Sequence, residues 1–152
     1  MKKIILRVSN IYGFYKQIPY IFLMILFMAL AVFFTRFSSI LILIACIFLI
    51  RAIYGIIYYR LIQIELFPDR LNVKKGVFTH NKSFLELYRV KDFGEKQSFF
   101  MRIFGLMTVT LETSDKSDPF LNLVGIPKSD IVEVIRGYVE TQRKIKGVRE
   151  FD

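Results

Sequence analysis

Apolar residues are concentrated in the first part of the chain, in two long runs separated by a short connector. The first run is unbroken over residues 18–34, and the second covers residues 40–59 with Arg51 as its one interruption. An α-helix rises about 1.5 Å per residue and needs about 20 residues to cross a 30 Å hydrocarbon core. Because the connector is too short to cross a bilayer, the two runs predict an antiparallel hairpin of transmembrane helices at about 18–35 and 39–59.

From residue 60 onward the hydrophobic period changes to two, which is the spacing of a half-buried β-strand. Ile62, Ile64 and Leu66 alternate with Gln63 and Glu65 in the first such segment. Comparable segments follow, separated by polar turns. Together they predict about seven short strands, which begin near residues 62, 71, 77, 83, 90, 108 and 120.

The last element has helical spacing. Asp130 and Glu133 stand at the capping-box spacing of a helix N-terminus, and apolar residues then recur every three or four positions until the predicted end near Gly147. The chain is therefore predicted to be a membrane-anchored α+β protein. Residues 60–147 form a β-sandwich or open barrel of about seven strands capped by the C-terminal helix, and residues 148–152 form a tail.

Charge separates the two parts of the chain. The sequence has 22 basic and 13 acidic residues, a net charge of +9, and no acidic residue precedes Glu65. Basic loops stay on the cytoplasmic side of membrane helices. Because basic residues precede the first apolar run and Arg36 alone lies in the connector, both termini are expected to be cytoplasmic. The run starts 17 residues into the chain and no small-residue cleavage site follows it, which disfavours a cleaved signal peptide.

Several basic residues are candidates for contact with the membrane surface. Residues 1–17 form a basic and aromatic arm, suited to lie along the surface as an amphipathic helix, with about 1 kcal/mol of attraction to anionic lipid per basic residue. Arg51 is within reach of the cytoplasmic interface, so a snorkelling anchor is favoured over a functional charge inside the membrane. The candidate contacts are Lys2, Lys3, Arg7, Lys16, Arg51, Lys74 and Lys75.

Three blocks in the second half of the chain resemble a known family. Residues 67–77 contain an Arg-Leu pair with a glycine five residues after the leucine. Residues 85–93 contain two leucines two positions apart, followed by an arginine, a valine and an aspartate at the spacing of the family pattern. Residues 97–113 contain Gln-Ser, two apolar residues, an arginine and a glycine before a strand. In this order the blocks resemble the bacterial pleckstrin-homology-like (PH-like) domain of YdbS-like proteins. Glu86 and Met107 depart from the usual proline and glycine of that pattern.

The resemblance implies two orthogonal sheets capped by a C-terminal helix. It also implies a class whose members act as membrane-tethered binding or assembly modules, here in the bacterial inner membrane. No catalytic activity and no cofactor come with it, and function must still be argued from the site.

The inventory of reactive residues agrees with this expectation. His80 is the single histidine and lies in a predicted turn, and Cys46 is the single cysteine and lies in the second apolar run. No phosphate-binding loop or nucleophile motif occurs. We therefore expect no enzyme, metal site or cofactor. We also expect no nucleic-acid binding, because the basic residues after Glu65 are nearly balanced by acidic ones.

The segment 97–105 carries four large apolar residues around Arg102, more than a short surface loop needs. Two interpretations stay open. The segment is either a short helix that plugs the domain's own core or an exposed patch that meets a partner or the membrane, since such patches mark interaction sites. In the second case the partner interface consists of Phe99, Phe100, Arg102 and Phe104, with Ile103 beside them.

The sequence thus favours a non-enzymatic, membrane-anchored PH-like module. Its expected role is to assemble with itself or to serve as an accessory subunit of a larger bacterial membrane complex, with membrane lipids and a protein partner or second copy around it. The alternative is a peripheral sensor of anionic lipid that lies on the bilayer through Lys74, Lys75 and the N-terminal arm. Specific headgroup recognition by the first hairpin is disfavoured, because its turn at residues 67–69 is short and ends in an acidic residue.

Overall fold

The computed structural model describes residues 3–79, 81–115 and 119–147. These residues form two long helices followed by a β-domain. The helices are α1 (Asn10–Phe33), α2 (Ser38–Arg60), the short α3 (Phe99–Ile103) and α4 (Ile131–Lys146). The strands are β1 (Ile4–Arg7), β2 (Gln63–Leu66), β3 (Arg70–Lys75), β4 (Asn81–Glu86), β5 (Val90–Lys96), β6 (Leu106–Thr113) and β7 (Phe120–Pro127).

Helices α1 and α2 pack against each other as a hairpin, joined by a single 3₁₀ turn at Thr35–Phe37. Both are long and apolar enough to cross a membrane. Small residues allow two helices to approach closely, and Ala31, Ala45 and Ala52 are buried here. Most other side chains of the pair are exposed. The predicted hairpin is therefore present as two apolar helices whose outer faces have no protein cover.

The first helix begins at Asn10, well before the apolar run at residue 18. Ser9 is its N-cap, and the Ser9 Oγ accepts a hydrogen bond of 3.3 Å from the backbone N–H of Ile11. Such a cap satisfies one of the free amide groups of a helix N-terminus. The early start gives α1 two additional turns, which bury Tyr12 and Gln17.

The β-domain consists of two antiparallel sheets. One sheet has the strand order β1-β2-β3-β4 and the other has the order β5-β6-β7. Alternate residues of both sheets point into one core, where Leu66, Leu71, Val109 and Leu111 have 0% exposure. Among the described residues the architecture is thus seven strands in two sheets with a C-terminal helix, as the sequence predicted.

The identity of one strand differs from the prediction. Residues 4–7 form β1 and pair with β2 in the register Ile4↔Leu66 and Arg7↔Gln63. The strand expected near residue 77 does not occur in the described residues; Gly76, with φ 122°, instead begins the β3–β4 loop. The interpretation of the N-terminal arm as a surface helix is wrong for residues 4–7, because their backbone groups extend a sheet.

Helix α4 closes one end of the sandwich. Ile131, Ile135 and Val139 are buried along one face, and the Arg143 Nη2 donates a hydrogen bond of 2.6 Å to the carbonyl of Val90. The helix ends at Gly147 with φ 66°, the left-handed conformation in which glycine is favoured. Asp130 is the N-cap but makes no side-chain capping bond, so the predicted capping box is not formed.

We expect Ile135→Ala to lower the free energy of unfolding by about 2–5 kcal/mol, because Ile135 has 0% exposure and its truncation leaves a cavity. The matched control is Ile145→Ala, since Ile145 of the same helix is 68% exposed. Denaturant unfolding of the full chain in detergent measures both. Equal decreases in the free energy of unfolding for the two variants would contradict the conclusion that α4 covers this end of the core through Ile135.

Candidate functional site at the junction of helices and domain

The helix pair and the β-domain are joined by two short connections that lie side by side. Two residues separate β1 from α1, and two separate α2 from β2. These strands are antiparallel neighbours, and the backbone N–H of Ser9 donates a hydrogen bond of 2.8 Å to the carbonyl of Gly125 in β7. The domain is therefore fixed to the helix ends at three points.

Tyr12 packs the first turn of α1 against the domain. It is 6% exposed, and its ring lies on the backbone of Gly125 and meets Tyr59 of α2 edge to face, with ring centroids 5.4 Å apart. Gly125 has φ 63°, and a Cβ at this position would collide with the Tyr12 ring. The hydrophobic pattern marks neither residue, because their proximity depends on the tertiary fold.

Helix α3 presents an exposed aromatic surface beside the start of α1. Ser98 caps it, with the Ser98 Oγ accepting from the Met101 N–H at 3.4 Å, and Met101 alone in α3 points into the core with 7% exposure. Phe100 contacts Tyr15 of α1 at a centroid distance of 5.2 Å. We call the outer residues the α3 patch; they are Phe99 (74% exposed), Phe100 (48%), Ile103 (61%) and Phe104 (49%), with exposed Arg102 among them.

The two interpretations of this segment are thus combined in one short helix. Met101 plugs the core, as the first interpretation requires, and the α3 patch remains open, as the second requires. The patch and α1 meet in a closely packed apolar contact with no room for a water molecule, formed by Ile11, Tyr12, Tyr15, Phe100, Met101, Phe104 and Leu106. All four residues of the predicted partner interface lie on or directly beside α3.

The predicted membrane-surface lysines are not equivalent. Lys3 and Lys74 both bind one carboxylate oxygen of Glu65, with N–O distances of 3.0 and 2.7 Å. Lys75 is half-buried at the end of β3, and Arg7 is exposed at the end of β1. The Lys16 ammonium lies 5.8 Å from the centroid of the Tyr12 ring, and Lys2 lies outside the described residues. The charge of Lys3 and Lys74 is therefore directed to Glu65.

The Glu65 carboxylate is the electrostatic link between β1 and the rest of its sheet. Its side chain is 8% exposed. The hydrogen bonds from Lys74 and Lys3 lower the pKa of Glu65 from 4.5 to about 2, because both ammonium groups stabilise the ionised form. The carboxylate stays charged at all ordinary pH values and holds Lys3, which directly precedes β1, against β3.

Two further contacts lie along the apolar helices. Arg51 of α2 stacks on Tyr20 of α1, with its guanidinium carbon 4.8 Å from the ring centroid. Phe78, at the tip of the β3–β4 loop, is 87% exposed and stacks on Tyr54 of α2 at 6.3 Å. The loop tip and the α3 patch therefore both lie against the helix pair near its domain end. No pattern in the sequence marks Phe78, because its position follows from the length of the β3–β4 hairpin.

Conventional catalytic groups are sparse in the described part of the chain. No group of three or more His, Cys, Asp or Glu side chains that is able to hold a metal ion occurs in residues 3–79, 81–115 and 119–147. Cys46 is an exposed free thiol on α2. His80 lies outside the described residues.

Two apolar helices that continue directly into a two-sheet, helix-capped domain define a PH-like module on a helical hairpin. The model of the bacterial PH domain family matches residues 17–141, which is more than half of the chain, and the chain belongs to this family. The resemblance inferred from the three sequence blocks is thus confirmed. No curated protein and no solved structure matches the chain. The matched range includes α2 and most of α1 but not β1.

We expect Gly125→Ala to destabilise the protein more than Gly105→Ala. Both glycines have a left-handed φ, which costs an L-residue about 1–2 kcal/mol. At Gly125 the new methyl group also collides with Tyr12, whereas nothing lies within 4 Å of a Cβ at Gly105, and overpacking adds about 1–3 kcal/mol. Denaturant unfolding of both variants gives the difference. Equal effects would show that Tyr12 does not pack on β7.

Glu65→Gln is expected to lower stability at pH 7 and to reduce its dependence on pH. The folded-state pKa of Glu65 is depressed to about 2, so its stabilisation is fully present above its unfolded pKa of about 4.5 and is lost as pH falls toward 2. The difference in unfolding temperature between wild type and variant should therefore shrink between pH 5 and pH 2. Glu112→Gln, at an exposed position of β6, serves as the control. A difference that does not vary with pH would contradict the Lys3–Glu65–Lys74 bridge.

Proposed function

We propose that the chain is a non-enzymatic, membrane-anchored PH-like module that assembles with itself or with a larger complex in the bacterial inner membrane. The observation that carries the proposal is the α3 patch. It exposes four large apolar side chains around Arg102 on a part of the domain that contacts α1 through Phe100 and Tyr15. Exposed apolar surface of this kind marks interaction sites, and charged groups beside it provide specificity.

The membrane placement rests on the two apolar helices and on their flanking charges. Each helix is long enough to span a bilayer. Basic residues flank the domain side of the pair, and Arg36 is the single charged residue of the opposite turn. The positive-inside rule then puts the domain and both termini in the cytoplasm.

The short connections favour assembly over reversible recruitment. A lipid sensor that is recruited to a membrane needs a state in which its domain is away from the lipid. Here a two-residue connection joins β1 to α1, and another joins α2 to β2. In addition, Tyr12 and Ser9 contact Gly125 of β7. A domain held in this way presents a surface at constant height and orientation, which suits a partner that is itself bound to the membrane.

One observation favours the second candidate function, contact with anionic lipid. The β3–β4 loop places Phe78 against Tyr54 of α2, and Lys75 is the last residue of β3, directly before this loop. An aromatic tip with basic residues behind it is the pattern of an interfacial membrane contact. In this role the loop would bind the bilayer surface and hold the domain against it. Such a contact would serve a lipid sensor, and it would also support an assembly module.

The assembly proposal is tested with two full-length copies that carry different tags, co-expressed and extracted in mild detergent. We expect one tag to co-purify either the other copy or a partner in fixed stoichiometry. Phe100→Asp should reduce that recovery by about tenfold, because desolvating a carboxylate in an apolar interface is costly. Phe84→Asp is the matched control, since Phe84 is 64% exposed on β4.

Light scattering of the purified chain decides between the two functions. A chain that is monomeric, and that recovers neither a second copy nor a partner in the co-purification, would contradict assembly through the α3 patch. If that monomer also binds anionic vesicles with strong salt dependence, the lipid-contact function is supported instead. If the Phe100→Asp variant fails to fold while the Phe84→Asp variant folds, Phe100 is part of the domain core.

A further inference from the structure

An open cavity of about 220 Å³ lies between α1 and α2 near their domain ends. Its walls come from one polar residue of α1 and from a basic and aromatic segment of α2. The lining residues are Gln17, Arg51, Tyr54, Gly55, Tyr58 and Tyr59. Neither the α3 patch nor the β3–β4 loop contributes to it.

Gln17 is the unusual member of this set. It is 3% exposed, and its carboxamide packs directly on the backbone of Gly55. Within the described structure its Oε1 has no hydrogen-bond partner. A buried polar atom without a partner is costly and rare in folded proteins. The Gln17 Oε1 therefore lacks a donor among the described residues, and the side chain that carries it lines the cavity.

Arg51 supplies the charge of the cavity. Its guanidinium is stacked on Tyr20, and none of the ion pairs among the described residues involves it. No acidic residue occurs in the first 64 positions of the chain, so α1 and α2 provide no counter-ion. A guanidinium with free N–H groups in a partly apolar setting is suited to bind a phosphate.

The depth of the cavity along the helices matches the headgroup layer. Gln17 directly precedes the unbroken apolar run at residues 18–34, and Tyr20 follows within one turn. Three tyrosines of α2 line the same level, as in the aromatic belts of membrane interfaces. With the membrane placement proposed above, the phosphate of a lipid in the adjoining leaflet would lie near the height of Arg51 and Gln17.

We propose that this cavity binds the headgroup of a glycerophospholipid that carries both a phosphate and a hydrogen-bond donor. The phosphate binds Arg51, and an N–H or O–H group of the headgroup donates to the Gln17 Oε1. Ethanolamine and glycerol headgroups meet both requirements, whereas choline has no N–H or O–H to donate. The inference rests on the membrane placement proposed above and is independent of the assembly role.

The test uses the full chain reconstituted in nanodiscs of phosphatidylethanolamine, phosphatidylglycerol or phosphatidylcholine, then released for native mass spectrometry. We expect one lipid retained per chain with the first two lipids and about tenfold less retention of phosphatidylcholine. Arg51→Gln should reduce retention of all three lipids by about tenfold. Arg36→Gln, at the opposite end of the hairpin, is the matched control and should leave retention unchanged.

Gln17→Leu provides a second readout that general electrostatic attraction would not change. It removes the acceptor and retains Arg51, so it should abolish the preference over phosphatidylcholine while some lipid remains bound. Equal retention of the three lipids by wild type, or equal loss in Arg51→Gln and Arg36→Gln, would overturn the proposal. Displacement of the lipid by millimolar inorganic phosphate would overturn the assignment to a lipid headgroup. The same spectra report the number of chains per complex, so failure of lipid binding is distinguished from failure of assembly.

Discussion

The structure depends on one antiparallel pairing, that of β1 with β2. Each of these strands is continuous with one apolar helix through a two-residue connection, so their register also fixes how the helix pair meets the domain. Tyr12, buried between Gly125 and Tyr59, fills the space at this junction, and Glu65 holds Lys3 at the outer end of β1. The positions of the α3 patch and of Phe78 relative to the helices follow from this geometry, because both are carried by a domain that has little freedom to rotate.

The sequence correctly predicts the elements whose hydrophobic pattern lies within one segment of the chain. The period-two pattern of β2 and β6, the apolar face of α4 with Gly147 after it, and the apolar run of α2 each lie within one segment. The wrong predictions concern elements that depend on contacts with residues distant in the chain. Residues 4–7 have no alternating pattern, and their strand exists because Leu66 and Gln63 supply its partners. Helix α1 begins at Asn10, whereas the apolar run predicts a transmembrane helix from about residue 18. The difference arises because Tyr12 and Gln17 are not part of an apolar run, although the Ser9 cap is a local signal.

The same distinction applies to the candidate sites. The sequence draws attention to the segment 97–105, because large apolar side chains in a short connector are conspicuous in any fold, but only the structure shows that most of them are exposed. Gln17 was not recognisable, because a polar residue at the border of an apolar run is usually a boundary in contact with water. Its burial results from the absence of a side chain at Gly55 on the facing helix, and no single-sequence pattern reports that approach. The ion pairs of Lys3 and Lys74 were likewise not recognisable, because their partner, Glu65, is brought between them only by strand pairing.

The order of the elements along the chain has a consequence for biogenesis. The strand β1 precedes both apolar helices and its partner β2 follows them, so the sheet is completed only after both helices have been synthesised. In a membrane, the two strands reach the same compartment only if the hairpin crosses the bilayer an even number of times. A chain with a single inserted helix would keep β1 and β2 on opposite sides and leave an unpaired edge on β2. Completion of the four-stranded sheet therefore depends on correct insertion, and a misinserted chain would expose an unpaired strand edge, which is prone to aggregation.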